Sequence, residues 1–229
     1  MVRKALTRSV KAIPPTPEQA AKYMLFWTKG DLYFHPDQFP KMSSQTLFGN
    51  ERPLELEVGC GTAEFLCSLA GLQPEVNFLG VEVWTKVVHN AVRTAAAQGL
   101  DNIKFIRAPF EFTYHLLVPD SLRKVYLHYP NPHMRSRGQH KIFNPAFLHA
   151  IHGALESDGR LHVVTDHREL FLEEMLPLVE EDERWEKTHE ERYLVGYDPP
   201  VKSRYQLMWE KHGVLPLRFE LKKRQNYCF

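Results

Sequence analysis

Apolar positions along this chain fall into two alternating kinds of run. Short stretches rich in Val, Leu, Ile and Phe read as strands: Leu54 to Val58, Val76 to Val83, Asn102 to Ile106, Lys124 to Tyr129 and Leu161 to Thr165. Between them lie helical stretches, from about Thr62 to Ala70 and from Thr85 to Ala97, the second stopped by Gly99. Another is opened by Asn144-Pro145 and ends near Asp158-Gly159. Strands separated by helices of this length predict βαβ units and a parallel sheet, an α/β fold. An acidic helix follows Thr165. Trp185 to Leu194 and Leu215 to Leu221 then read as strands with no helix between them, which predicts an antiparallel edge.

The first fifty residues form a preface to this alternation. Thr16-Pro17-Glu18-Gln19 supplies an N-cap, a proline at the first helical position and a capping-box glutamine. The helix it opens is expected to run to Lys29 and stop at Gly30, with residues 31 to 52 irregular. The organisation expected is an N-terminal extension over residues 1–50 and one domain over 51–229, with no internal repeat. That length is enough for one sizeable core.

Composition narrows the setting. No apolar stretch approaches a membrane span, and the basic start of the chain lacks the apolar core of a secretory signal. Cys60, Cys67 and Cys228 form neither a disulfide framework nor a metal-ligand spacing, so a reducing, cytoplasmic setting is expected. Net charge is +1, but residues Glu169 to Glu191 hold ten acids and two bases, a local −8 that leaves +9 for the rest. Arg3, Lys4, Arg8 and Lys11 form one basic group, Arg135, Arg137 and Lys141 a second, and Arg218, Lys222, Lys223 and Arg224 a third. Such segregation leaves room for a basic face able to follow phosphates, although ordinary solvated faces explain it equally well.

The first strand ends in Glu57-Val58-Gly59-Cys60-Gly61-Thr62. Gly59 and Gly61 let the backbone bend sharply and approach a ligand, while the following helix start presents free N–H groups to a carboxylate or phosphate. A third fingerprint glycine would fall near Glu64, which disfavours a pyrophosphate. Glu57 places a negative charge suited to an ammonium group. The second strand carries Glu82 near its end, where an acid accepts from a ribose diol, or alternatively serves as the N-terminal charge of the next helix. Together these point to a nucleoside cofactor, and S-adenosylmethionine is the one chosen.

Strand four runs into Tyr129-Pro130-Asn131-Pro132-His133, followed by Met134-Arg135-Ser136-Arg137. At the carboxyl edge of a doubly wound sheet this loop lies beside the cofactor, and two prolines stiffen it and aim Asn131. Asn131 is therefore the candidate cofactor-contacting side chain of this loop. As a bare tripeptide, Pro-Asn-Pro is a common turn. The twelve histidines, among them His128, His133, His140, His162 and His167, match no zinc spacing, and no metal is expected. Trp27, Trp84, Trp185 and Trp209 read as packing residues.

From roughly Leu54 to Phe219 the chain resembles the bacterial tRNA guanine-N7 methyltransferases. The resemblance rests on the Glu-Val-Gly-Cys-Gly turn, Gly80-Val81-Glu82, the loop at Pro130, Asn144-Pro145-Ala146-Phe147-Leu148 and Thr165-Asp166. It implies a Rossmann-like class I methyltransferase fold, with Glu57, Gly59, Gly61 and Glu82 on S-adenosylmethionine. It also implies that Arg135, Asp166, Ser203 and Gln206 face a tRNA nucleotide, with Asp166 joining Asn131 among the catalytic candidates. Several positions depart from the family pattern. Asn131 replaces its aspartate, His133 its tryptophan, and Ala108-Pro109 stands where it has an acid; Ser203-Arg204-Tyr205-Gln206 carries an amide in place of the glutamate of its Thr-x-x-Glu motif. The function expected is methylation of a tRNA guanosine at N7. The alternatives are methylation of another RNA base or a small molecule, and a tRNA- or partner-binding protein without catalysis. Monomer and homodimer are equally compatible with the sequence.

Overall fold

The computed structural model describes residues 13–132 and 141–224. Within them the chain forms two compact units, divided between Leu116 and Leu117.

In the first unit, α1 (Pro17–Tyr23) leads into β1 (Met24–Phe26), α2 (Lys29–Phe34) and α3 (Ser44–Phe48). Then come β2 (Leu54–Val58), α4 (Glu64–Leu72), β3 (Asn77–Glu82), α5 (Thr85–Ala97) and β4 (Ile103–Arg107). The strands lie in the order β1-β4-β3-β2, and every pairing is parallel. All five residues of β2 are buried, as expected of a parallel strand covered on both faces. Helix α5 buries Val87, Val88, Ala91, Val92 and Ala95, one stripe at helical spacing.

The capping box forms as expected: Gln19 N donates to Thr16 Oγ1 and Thr16 N to Gln19 Oε1. The helix does not reach Lys29, however. It ends at Tyr23, because Met24–Phe26 turns extended and pairs with Phe105–Arg107, covering what would otherwise be an open strand edge. Nor is Gly30 a stop, since it lies within α2, whose cap is Thr28.

In the second unit, β5 (Leu122–His128) is followed by α6 (Pro145–Ala154) and β6 (Leu155–Thr165). A π-helical segment, Leu170–Met175, runs directly into α7 (Leu176–Glu181). β7 (Trp185–Lys187), β8 (Leu194–Val195), α8 (Arg204–Lys211) and β9 (Leu217–Lys223) complete it. β5 and β6 are parallel; β9 runs antiparallel to β6, β7 and β8, so the antiparallel edge expected from the sequence is present. Asn144 caps α6 by accepting from Phe147 N at 2.9 Å.

Three boundaries differ from the sequence reading. Helix α6 stops at Ala154, four residues before Asp158, because fully buried Leu155 already pairs with Leu122. Trp185 to Leu194 is not one strand: its two ends pair with opposite ends of β9, and the intervening residues bow out. Between β8 and β9 lies a helix, α8, whose largely polar composition hid a short apolar set at Tyr205, Met208 and Trp209. The widened π-turn also has a local cause. Pro177 has no N–H to donate and its ring crowds the carbonyl one turn back.

Candidate cofactor and acceptor sites

The cofactor candidates gather in the first unit. Gly59 and Gly61 both adopt left-handed backbone, at φ 75° and 58°, and a Cβ built on either would meet nothing within 4 Å. The turn is tied to the neighbouring strand, since Gly59 N donates to Val81 O at 2.8 Å and Cys60 N to the same oxygen at 3.2 Å. Ala63 continues the bend at φ 58° and gives α4 no side-chain cap. That helix start therefore directs N–H groups outward without a competing acceptor from its cap residue.

Glu82 accepts three backbone N–H groups. Oε1 takes Val83 at 2.7 Å and Trp84 at 3.0 Å, and Oε2 takes Gly61 at 3.2 Å. Oε1 serves the start of α5, as the reading of Glu82 as a helix N-terminal charge expects, while Oε2 faces the glycine turn. Burial pushes its carboxyl above the usual range against the pull of those three bonds. Glu57 is buried on β2. Desolvation first, and then the charges of Glu64 and Glu82, raise its carboxyl well above the usual range. The charges of Glu64 and Glu82 beside buried Glu57 favour a cationic occupant, and the open glycine turn supplies the contact surface, so these residues fit a sulfonium amino acid joined to a nucleoside. Glu64, held by Thr62 Oγ1 at 2.7 Å, was not singled out from the sequence; its place where a third fingerprint glycine would fall was the available signal.

Gly80 explains how Cys60 fits beneath the turn. A Cβ at Gly80 would come within 2.7 Å of Cys60 Sγ and 2.8 Å of a Phe105 ring carbon. Strand β3 needs a bare backbone here.

The acceptor-side candidates gather in the second unit. Asn131 is exposed, three residues after the end of β5. Asp166 is half-buried just after β6 ends at Thr165. Ser203 is the N-cap of α8, its Oγ accepting from Gln206 N at 3.2 Å. Gln206 is buried, with Nε2 donating to Tyr197 O and, at 3.0 Å, to Glu210 Oε1. Glu210, one helical turn after Gln206, escaped the sequence reading; the i,i+4 spacing is the signal that would have found it. Arg135 lies outside the described residues, as do His133, Arg137, His140, Cys228 and the basic residues Arg3 to Lys11.

Behind Asn131 the end of β5 is braced by two buried histidines. His128 Nε2 and His162 Nδ1 are 3.0 Å apart, and the Tyr197 ring lies against both. Burial, reinforced by Lys124, holds His128 down at about 3; burial, then His128, Lys124 and Arg218, hold His162 well below its usual value. Both rings are neutral at physiological pH. Among the described residues no group of three His, Cys, Asp or Glu side chains is arranged to hold a metal. Nor is any described helix long and apolar enough to cross a membrane.

Parallel strands alternating with helices in the first unit, a parallel pair edged by antiparallel β9 in the second, and a glycine turn bonded to an acid at the end of the next strand are the features of a Rossmann-like methyltransferase. A family model described as "Putative methyltransferase" matches residues 51–214. The tRNA (guanine-N(7)-)-methyltransferase of Rubrobacter xylanophilus is 49% identical over 222 residues, spanning 96% of this chain and 99% of that one. Its counterpart from Chloroherpeton thalassium is 38% identical over 216 residues, spanning 94% and 95%. The chain belongs to the tRNA (guanine-N(7)-)-methyltransferase family. Among solved structures, the antibiotic-resistance methyltransferase Kmr shares the fold at a TM-score of 0.54 and 15% identity, over 87% of this chain and 94% of that one.

Proposed function

We propose that this protein transfers a methyl group from S-adenosylmethionine to N7 of a guanosine in tRNA. The observation that carries the reading is the Glu82 bridge between the glycine turn and the start of α5, set beside buried Glu57. S-adenosylmethionine, when bound, supplies an electrophilic methyl on a sulfonium. Glu57 holds its ammonium group, the N–H groups of the first turn of α4 hold its carboxylate, and Glu82 Oε2 accepts a ribose hydroxyl through its remaining lone pair.

Guanine N7 carries an in-plane lone pair and needs no deprotonation, so the protein's work is positioning and electrostatics. Asn131 and Gln206 each turn a carbonyl oxygen toward the N1–H and N2–H edge of the base. Gln206 suits this because its amide nitrogen is already engaged by Tyr197 O and Glu210, which fixes the orientation of the amide. Asp166 contacts the nucleotide and Arg135 a phosphate. The work belongs in the cytoplasm, with residues 1–50 as an extension of the methyltransferase domain.

Purified protein incubated with labelled S-adenosylmethionine and unmodified bulk tRNA, followed by nucleoside analysis, tests this reading. Labelled 7-methylguanosine is the expected product. Label on another nucleoside, or cofactor binding without transfer to any RNA, would overturn it.

A further inference from the structure

The two acceptor-side segments each carry a tyrosine that neither the sequence reading nor the proposed chemistry has used. Tyr129 immediately precedes Pro130-Asn131-Pro132, and Tyr205 lies between Ser203 and Gln206. Their rings are nearly parallel, 19° apart in plane, with centroids 6.3 Å from one another. Both residues are half-buried.

Tyr129 is held in an unusual way. Its backbone is left-handed at φ 50°, which a residue with a bulky side chain adopts only when its surroundings enforce it, and such residues cluster at ligand clamps. Its N–H donates to Val164 O at 2.7 Å, fixing the turn to the end of β6. Tyr205 is held from the other side by the first turn of α8, which Ser203 caps. Rings stacked in direct contact have centroids about 4.5–7 Å apart, and this pair lies toward the far end of that range. A planar base between two rings needs two van der Waals layers of about 3.5 Å each, or about 7 Å in all. The pair has to open until its two planes stand about 7 Å apart to admit the base.

We infer that Tyr129 and Tyr205 form an aromatic clamp that takes the target purine between their faces. This rests on the RNA-methylating function proposed above. The geometry suits the chemistry, because the N7 lone pair lies in the plane of the base and the methyl donor must approach along the ring edge. Gripping both faces leaves that edge open. Stacking does not discriminate between purines, so the clamp orients the base while the amides of Asn131 and Gln206 identify it.

The clamp is tested with Tyr129→Ala, Tyr205→Ala and the two Tyr→Phe variants, measured for methyl transfer to tRNA and for equilibrium affinity for unmodified tRNA. Calorimetric affinity for S-adenosylmethionine serves as the folding control. Each alanine variant should lose about tenfold to a hundredfold in kcat/KM for tRNA at unchanged cofactor affinity, as expected for one lost base–aromatic stack. Each phenylalanine variant should stay within about threefold of the parent. Alanine variants that keep parental kcat/KM while the parent makes 7-methylguanosine would overturn the clamp and leave the function standing. Phenylalanine variants as impaired as alanine would also overturn it, since the hydroxyls would then matter and the faces would not. A parent that makes no 7-methylguanosine overturns the proposed function, and the clamp is then judged by tRNA affinity alone: weakened by alanine and kept by phenylalanine supports it, and any other pattern refutes it.

Discussion

Glu82 Oε2 accepts the Gly61 N–H at 3.2 Å, so a carboxylate at the end of β3 fastens the glycine turn that follows β2. The same side chain holds the Val83 and Trp84 N–H groups through its other oxygen. One residue therefore ties down the turn and starts a helix, and its proposed third part is to accept from a ribose. Glu82→Ala should weaken S-adenosylmethionine binding by roughly 1.5–3 kcal/mol, the value of charge-assisted hydrogen bonds. Isothermal calorimetry reads it directly. An unchanged affinity would end the ribose assignment.

The role proposed for Glu57 predicts that binding of a cationic cofactor depends on pH. Its carboxyl is held well above the usual range by burial and by Glu64 and Glu82, and only its charged form attracts an ammonium group. S-adenosylmethionine affinity should therefore increase as pH climbs toward and through that raised value, with a proton released on binding. Titrations in buffers of different ionisation enthalpy count that proton. Glu57→Gln should bind more weakly and flatten the profile; a slope identical to the parent's would show that another group titrates.

Gly80 is a packing requirement with a cofactor consequence. Gly80→Ala brings a methyl group to 2.7 Å from Cys60 Sγ and 2.8 Å from Phe105, so the turn residue or the neighbouring strand must shift. Overpacking of this kind costs about 1–3 kcal/mol. Denaturant unfolding should report that loss, together with weaker cofactor binding. Adding Cys60→Ala should recover part of both. Failure of the second substitution to rescue either would place the strain on Phe105 alone.

The central elements were legible because their signals are local. Thr85–Ala97 carries a full apolar stripe, and Leu54–Val58 is a compact apolar-rich run opening onto two glycines. The same locality misled at Met24–Phe26: three apolar residues after a well-capped helix read as more helix, and only the distant edge of β4 makes them a strand. Helix α8 was illegible for a different reason: its overall composition is polar, and its short apolar set, Tyr205, Met208 and Trp209, spans little more than one turn. The positions of Glu57 and Glu82 at strand ends, one leading into the glycine turn and one bonded to it, could be read from local sequence. The opposed rings of Tyr129 and Tyr205 could not, because 76 residues separate them and their relation exists only in the folded sheet.

The buried His128–His162 pair makes the second unit acid-sensitive. His128 ionises near 6.5 when unfolded but is held down at about 3 when folded, and His162 is depressed in the same direction. Lys124 and Arg218 face the pair and oppose its protonation. Between those values the unfolded chain binds more protons than the folded one. Stability is thus fully present above about pH 6.5 and falls as pH drops toward 3, by up to about 1.4 kcal/mol per pH unit for each histidine. Urea unfolding at a series of pH values should show the slope, and His128→Gln should reduce it. A parental slope in that variant would assign the acid sensitivity elsewhere.

Asn131 offers the sharpest test of the acceptor side. An amide presents one carbonyl to the guanine edge and sets an NH2 group beside it, where a carboxylate would offer two acceptors and a charge. Methyl transfer turns N7 into a cationic centre, which a nearby carboxylate stabilises more in the transition state than in the ground state. Asn131→Asp should therefore raise the single-turnover rate on tRNA, by about tenfold to a hundredfold by analogy with single electrostatic contacts elsewhere. Asn131→Ala should lower it. Because the side chain is exposed, both substitutions should leave stability within about 0.5 kcal/mol of the parent, so a rate change can be read as chemistry. If the aspartate variant were slower than the parent, the amide NH2 would be a donor to the acceptor base, and the base edge presented to Asn131 would not be the N1–H and N2–H edge of guanine.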